Sequence, residues 1–166
     1  SLVDPFPTFT PRRVSGLVGL AGKATAVVGM RRAGKTTFLH QQRQQRHERG
    51  APRASLPYMN FEDERLAGIE AAHLSFLVDE FERTKAPEIA EADVCWCFDE
   101  IQVVPGWERF VRRLLDSGTG EVFVTGSSAA LLSSEIATAL RGRAWTLPIY
   151  PFSFSEALDH EGALVP

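Results

Sequence analysis

Two glycines, a lysine and two threonines stand close together in the ten-residue run GMRRAGKTTF, positions 29–38, between the apolar stretch ATAVV and the polar LHQQRQQR. Gly29 to Thr36 fits G-x-x-x-x-G-K-[ST], a pattern with a physical meaning. A phosphate chain needs backbone N–H donors at close range. That calls for residues without a Cβ at the closest approaches and for a helix N-terminus, whose dipole favours anions. The cradle is therefore expected over Gly29, Met30, Arg31, Arg32, Ala33, Gly34, Lys35, Thr36 and Thr37, with Gly29 and Gly34 supplying the backbone freedom. Lys35 brings positive charge to β- and γ-phosphates, and the Thr36 hydroxyl suits a magnesium ion that bridges them. Arg31 and Arg32 occupy variable loop positions and are expected to face solvent.

Other chemistry-bearing residues follow apolar runs. DVCWCF ends in Asp99 and Glu100, and EVFVTGSS delivers Thr125, Gly126, Ser127 and Ser128. Ligands of open parallel sheets bind at the carboxyl ends of the strands, so these groups converge on one bound triphosphate if their strands are neighbours. Asp99 fits the second magnesium anchor, and Glu100 fits a base that orients and deprotonates an attacking water. Thr125 and Ser127, two apart, share a face and can reach the γ-phosphate or the water. Ser127, nearer the strand end, is preferred, and an ordinary turn capping the next helix is an equal reading. Glu62 and Asp63 form a second acidic pair, ranked lower because they follow a less apolar, edge-like strand. Arg141 and Arg143, in LRGRA, can reach transition-state charge on this subunit or an adjacent one, which would require an oligomer; pairing with carboxylates is the plainer reading.

The elements that must position these residues read as strands near 24–29, 55–61, 93–98, 121–128 and 143–150. Helices are expected near 35–49, 68–85, 106–118 and 128–140. The third strand is apolar on both faces and so central. Leu74, Leu77, Val78 and Phe81 in one helix, and Trp107, Phe110, Val111, Leu114 and Leu115 in another, form core-facing stripes. This βα alternation implies an α/β fold with a mostly parallel sheet. Pro5, Pro7 and Pro11 make residues 1–13 an extended lead-in to a domain over 14–166.

A chain of 166 residues with 44% hydrophobic content suits one core. It holds no apolar run of the roughly 20 residues that span a bilayer and no signal-like start, so a soluble, cytoplasmic protein is expected. Because it begins at Ser1 and stops soon after SFSEAL, it reads as a fragment of a longer protein. A net charge of −3 gives no footprint for nucleic acid or an anionic membrane. The local basic stretch of Arg43, Arg46, Arg49 and Arg53 reads as a solvated helix end, so nucleic-acid contact is unsupported. Cys95 and Cys97 read as small buried hydrophobes, with no histidine near enough in sequence to suggest a metal site.

The segments GMRRAGKTTF, CWCFDEIQVVPGWERFVRRL and VTGSSAALLSSEIATALRGRAWTLPIYPFSFSEAL together resemble the prokaryotic AAA-type ATPase family, whose ATP-binding domain normally precedes a C-terminal domain of unknown function. The resemblance implies a three-layer αβα P-loop NTPase core with a five-stranded sheet and ATP with magnesium. It implies Lys35 and Thr36 as Walker A residues, Asp99 and Glu100 as Walker B, and Thr125 to Ser128 as a sensor-like strand end. It also implies a C-terminal domain or protein partner beyond this chain. The expected function is magnesium-dependent ATP hydrolysis coupled to movement of that domain or partner. The alternative is a nucleotide-controlled binding module in which hydrolysis is incidental. A GTPase would carry [NT]KxD after the fourth strand, where TGSS stands. A small-molecule kinase would want an arginine-rich lid, for which Arg141 and Arg143 are thin support.

Overall fold

In a computed structural model of the chain, residues 6–14, 18–20, 22–127, 140 and 142–162 are described. Strands β1 (Ala24–Gly29), β2 (Tyr58–Asn60), β3 (Cys95–Asp99), β4 (Glu121–Ser127) and β5 (Ala144–Pro148) form one parallel sheet in the order β2-β3-β4-β1-β5. Helices α1 (Lys35–Glu48), α2 (Ala71–Thr84), α3 (Trp107–Asp116) and α4 (Phe154–Glu161) accompany it. Residues 128–139 of the helix expected over 128–140, Ser128 among them, and Arg141 lie outside the described residues.

Alternation along the strands makes two cores. Ala26 and Val28 of β1, Trp96 and Phe98 of β3, and Val122 and Val124 of β4 face α2 and α3. Val27, Cys95, Cys97 and Phe123 face Phe38 and Leu39 of α1. The result is the expected three-layer arrangement. On α3 the stripe Trp107, Phe110, Val111, Leu114 and Leu115 is buried throughout, because spacings of three and four keep one helix face toward the sheet. β3 is buried along its whole length, and both cysteines are free thiols.

Strand order positions the site. β4 lies between β1 and β3, so the first, third and fourth strands are neighbours. Register brings their carboxyl ends level: Gly29 pairs with Ser127, and Phe98, just before Asp99, pairs with Val124. β2 is an edge strand, as expected, and its acidic followers serve a local turn. There the Asp63 side chain accepts from the Arg65 N–H and the Glu62 N–H donates to Asn60.

The basic stretch departs from expectation. Arg43 donates to the Leu56 carbonyl and lies over the rings of Tyr58 and Phe6, while Arg46 pairs with Glu121 and lies over Phe123. Long arginine stems can cover apolar rings while their heads find acceptors, and here α1 turns two of them into the fold rather than into water. Among the described residues, no helix is long and apolar enough to cross a membrane.

Candidate functional site

The loop after β1 is shaped by close approaches. A Cβ at Gly29 would lie 2.2 Å from the Ile149 carbonyl oxygen, and one at Gly34 would lie 2.8 Å from Arg12 Nη1. Gly34 also takes φ +94°, where other residues are strained. α1 then starts with neither a side-chain cap nor an acidic residue in its first turn. Its leading N–H groups and positive dipole end are therefore free to meet an anion. Met30, Arg31 and Arg32 are exposed, as is Thr36, whereas Lys35 is buried. Lys35 Nζ donates to the carbonyls of Gly29 and Met30, each at 3.1 Å, and stands 3.8 Å from Glu100 Oε1.

The carboxylates at the end of β3 have different surroundings. Asp99 is 1% exposed and lies on the α1 side of the sheet with Cys95 and Cys97. Its Oδ1 accepts from the Thr125 hydroxyl at 2.5 Å and its Oδ2 from the Tyr58 hydroxyl at 2.8 Å. Burial, and then the nearby Asp99 charge, push the Tyr58 phenol far above its ordinary pKa, so it remains a neutral donor. The His40 ring packs 4.5 Å from the Tyr58 ring, and burial followed by Arg43 lowers its pKa. Glu100 adopts the left-handed conformation at φ 53°, an uncommon state for a residue with a side chain. The Thr125 hydroxyl oxygen accepts from the Glu100 N–H at 2.9 Å, and Glu100 Oε2 accepts from Gln102 Nε2 at 2.7 Å.

Thr125 thus joins the two carboxylate residues; its hydroxyl is turned to β3 rather than offered to a ligand. Ser127 closes β4 level with Gly29. Arg143 is not brought to this place. It precedes β5, where its carbonyl accepts from Ala24 at the start of β1, and its guanidinium pairs with Asp116. The six residues of β1 separate it from the loop, roughly 17 Å at strand spacing. A parallel strand that begins at one end of the sheet cannot present its first residue at the other, so Arg143 does not serve the site within this chain.

The residues fit a nucleotide with magnesium. The loop backbone runs so close to Ile149 and Arg12 that Gly29 and Gly34 leave no room for a Cβ, and it ends at the uncapped head of α1. The exposed Thr36 and the oriented Asp99 offer the hydroxyl and carboxylate oxygens that magnesium takes when phosphates and waters complete its shell. Among the described residues, there is no cluster of three or more His, Cys, Asp or Glu suited to a metal held by protein alone.

The sequence profile of the AAA domain family matches residues 21–158. The chain belongs to this family. Membership supports nucleotide binding by the AAA domain described above. An uncharacterised protein of Methanocaldococcus jannaschii is 42% identical over 84% of this chain and 29% of its own length. An uncharacterised protein of Haemophilus influenzae is 37% identical over 80% of this chain and 32% of its own. The chain thus spans about a third of the length of these curated relatives. The AMPPCP-bound DnaA of Aquifex aeolicus shares the fold with a TM-score of 0.52 at 15% identity, over 86% of this chain and 45% of that one.

Three site residues of the AAA domain escaped sequence reasoning. Tyr58 and Gln102 hold the carboxylates, and Arg12 braces the loop from the proline-rich lead-in. Arg12 is 7% exposed. Its guanidinium donates to the carbonyls of Ala33 and Tyr150 at 2.8 and 2.5 Å and to Glu156 Oε1 at 3.2 Å, and its backbone exchanges bonds with the Gln41 side chain. The DEIQ run placed Gln102 two residues from Glu100. Nothing local marked Tyr58 or Arg12, because their partners lie far away in the chain.

Proposed function

We propose that this AAA domain binds ATP with magnesium at the Gly29–Thr37 loop and hydrolyses it, and that hydrolysis moves an attached domain or partner. The observation that carries the reading is the 3.8 Å approach of Lys35 Nζ to Glu100 Oε1 at the mouth of the loop. It brings the cation suited to β- and γ-phosphates beside the carboxylate suited to activate water.

In this reading the N–H groups at the head of α1 bind phosphate oxygens, and Lys35 exchanges the Gly29 and Met30 carbonyls for them. Glu100 orients a water and takes its proton as the water oxygen bonds to the γ-phosphorus. Thr36 and Asp99 would hold magnesium, whose charge, when bound, would offset that of the phosphates. Tyr58 and Thr125 fix the Asp99 carboxylate for that task, and Ser127 is assigned to the γ-phosphate or the water. Coupling is supported by Arg12, which ties the loop at Ala33 to α4 through Glu156. The buried free thiols of Cys95 and Cys97 suit a reducing compartment such as the cytoplasm.

The same Lys35 contacts favour a second reading, a nucleotide-controlled switch. Phosphate would compete for Lys35, so occupancy alone would rearrange a loop that Arg12 connects to α4. ATP turnover and ATP affinity, measured for the wild type and Glu100→Gln, separate the two. Hydrolysis predicts a turnover loss of about 100-fold or more with binding retained. Tight binding with negligible turnover in both proteins supports the switch.

A further inference from the structure

Glu100 alone supplies one acceptor for a water that has two protons. A second acceptor lies nearby. Among the described residues, Gln102 Oε1 is the only buried side-chain polar atom without a hydrogen-bond partner. Native folds seldom leave such an atom unmet, and each case asks for a role. The orientation of the amide follows from its neighbour. An ionised carboxylate only accepts, so the NH₂ of Gln102 faces Glu100 Oε2 at 2.7 Å and the carbonyl is the end left over. Covalent geometry holds the two polar atoms of an amide about 2.2 Å apart. Oε1 therefore lies within about 5 Å of Glu100 Oε2.

Gln102 is itself held in place. It sits in a short 3₁₀ turn, Ile101–Val103, that begins directly after Glu100 in its left-handed conformation, and the Glu100 N–H is anchored on Thr125. Ile101, on one side of Gln102, is fully buried. The amide is thus presented by a turn that β3 and β4 fix together.

We infer that Gln102 is a positioning residue for hydrolysis, an inference that rests on the ATPase reading above. Its Nε2 aims the Glu100 carboxylate and its Oε1 accepts a hydrogen bond from one O–H of the attacking water, while Glu100 accepts a hydrogen bond from the other. With both protons directed to acceptors, a lone pair of the water is turned toward the γ-phosphorus. The oxygen–phosphorus bond forms, the bond from the γ-phosphorus to the β,γ-bridging oxygen breaks, and its electron pair leaves with ADP. One water proton passes to Glu100; the other stays on the new phosphate oxygen.

The test compares wild type, Gln102→Leu and Glu100→Gln in three measurements: Mg-ATP affinity, kcat, and the tightening of ADP binding by aluminium fluoride, which mimics the phosphoryl group in flight. The expected result is that Gln102→Leu keeps Mg-ATP affinity within about threefold, loses kcat on the order of 100-fold, and loses the aluminium fluoride tightening that the wild type shows. Should Gln102→Leu fail to fold, Gln102→Glu replaces it. That variant has the same size and lacks the amide donor, and the same losses are expected. Unchanged kcat and tightening in the Gln102 variants, with turnover abolished in Glu100→Gln, would overturn the inference and leave the ATPase reading intact. A loss of Mg-ATP affinity at constant kcat would also overturn it, because Gln102 would then serve binding. A wild type that shows neither turnover nor tightening would overturn both readings together.

Discussion

The two faces of the sheet are built on different principles, and β3 shows both. Toward α2 and α3 it presents Trp96 and Phe98, stacked at 5.6 Å, with Phe81 and Phe110 edge-on against them. Toward α1 it presents Cys95, Cys97 and Asp99, small or charged, and the surroundings include Tyr58, Thr125, Arg43 and Arg46. Bulk on one face supplies the apolar burial that holds the sheet. Small residues on the other leave room for buried polar groups beside α1 and the glycine–lysine loop before it, and each such group needs a partner. The aromatic face should therefore dominate stability, and the polar face should show its stability in hydrogen bonds and in pH dependence.

The largest break in this comparison is Trp96→Ala. The side chain is 1% exposed and its indole N–H donates to Thr119, so truncation opens a cavity and strands a hydroxyl acceptor. We expect a loss of about 3–5 kcal/mol in unfolding free energy by denaturant titration, the same at pH 4 and pH 7. A loss below about 1 kcal/mol would show that the aromatic face is not the main source of stability.

Next in size is the acid response of the polar face. Burial pushes Glu156 up, but hydrogen bonds from the Arg13 and Ser153 backbones and the Ser153 hydroxyl, with the Arg12 charge, outweigh it and hold the carboxyl down at about 2 from an ordinary 4.5. A lowered native pKa means that the unfolded state binds the proton first on acidification. The stabilisation is whole above pH 4.5 and is lost as pH falls through 2. The shift sets a ceiling of about 3 kcal/mol, which solvent screening reduces. Glu156→Gln should be less stable than the wild type at pH 6, and the two curves should converge toward pH 2. Curves that stay parallel would remove Glu156 from the acid response.

What was legible in the sequence follows the same division. The glycine–lysine loop after β1, the stripe on α3 and the doubly apolar β3 are local patterns, in which neighbours in the chain are neighbours on one element. Strand order is not local. The pairing of β1 with β4 rather than β3 is set by crossovers, and only that order brings Thr125, 26 residues away, and Tyr58, 41 away, onto Asp99. Arg12 reaches Glu156 across 144 positions, so a proline-rich run read as a lead-in hides a buried strut. Arg43 and Arg46 looked solvated because charge patterning does not reveal where a long stem lies. Arg143 could have been placed from the sequence: a residue that precedes a parallel strand stands at the end of the sheet away from the ligand side, whatever its distance from TGSS in the chain.

The smallest expected change tests whether the polar face is organised for chemistry or only for stability. Thr125→Val keeps the shape on β4 but removes the donor to Asp99 Oδ1 and the acceptor for the Glu100 N–H. One buried acceptor and one backbone donor lose a partner, a cost of about 1–3 kcal/mol. Thr25→Val is the matched control. Thr25 lies on β1, is equally buried, and its hydroxyl oxygen accepts from the Trp145 indole at 2.9 Å. Both variants should lose stability by thermal melting, with Thr25→Val near the lower end of that range. Only Thr125→Val should lower ATP turnover at saturating nucleotide, because only there do Asp99 and the left-handed Glu100 lose their common anchor. Equal turnover in the two variants would mean that the Thr125 hydroxyl stabilises the sheet without orienting either carboxylate, and the division between the two faces would then be one of packing alone.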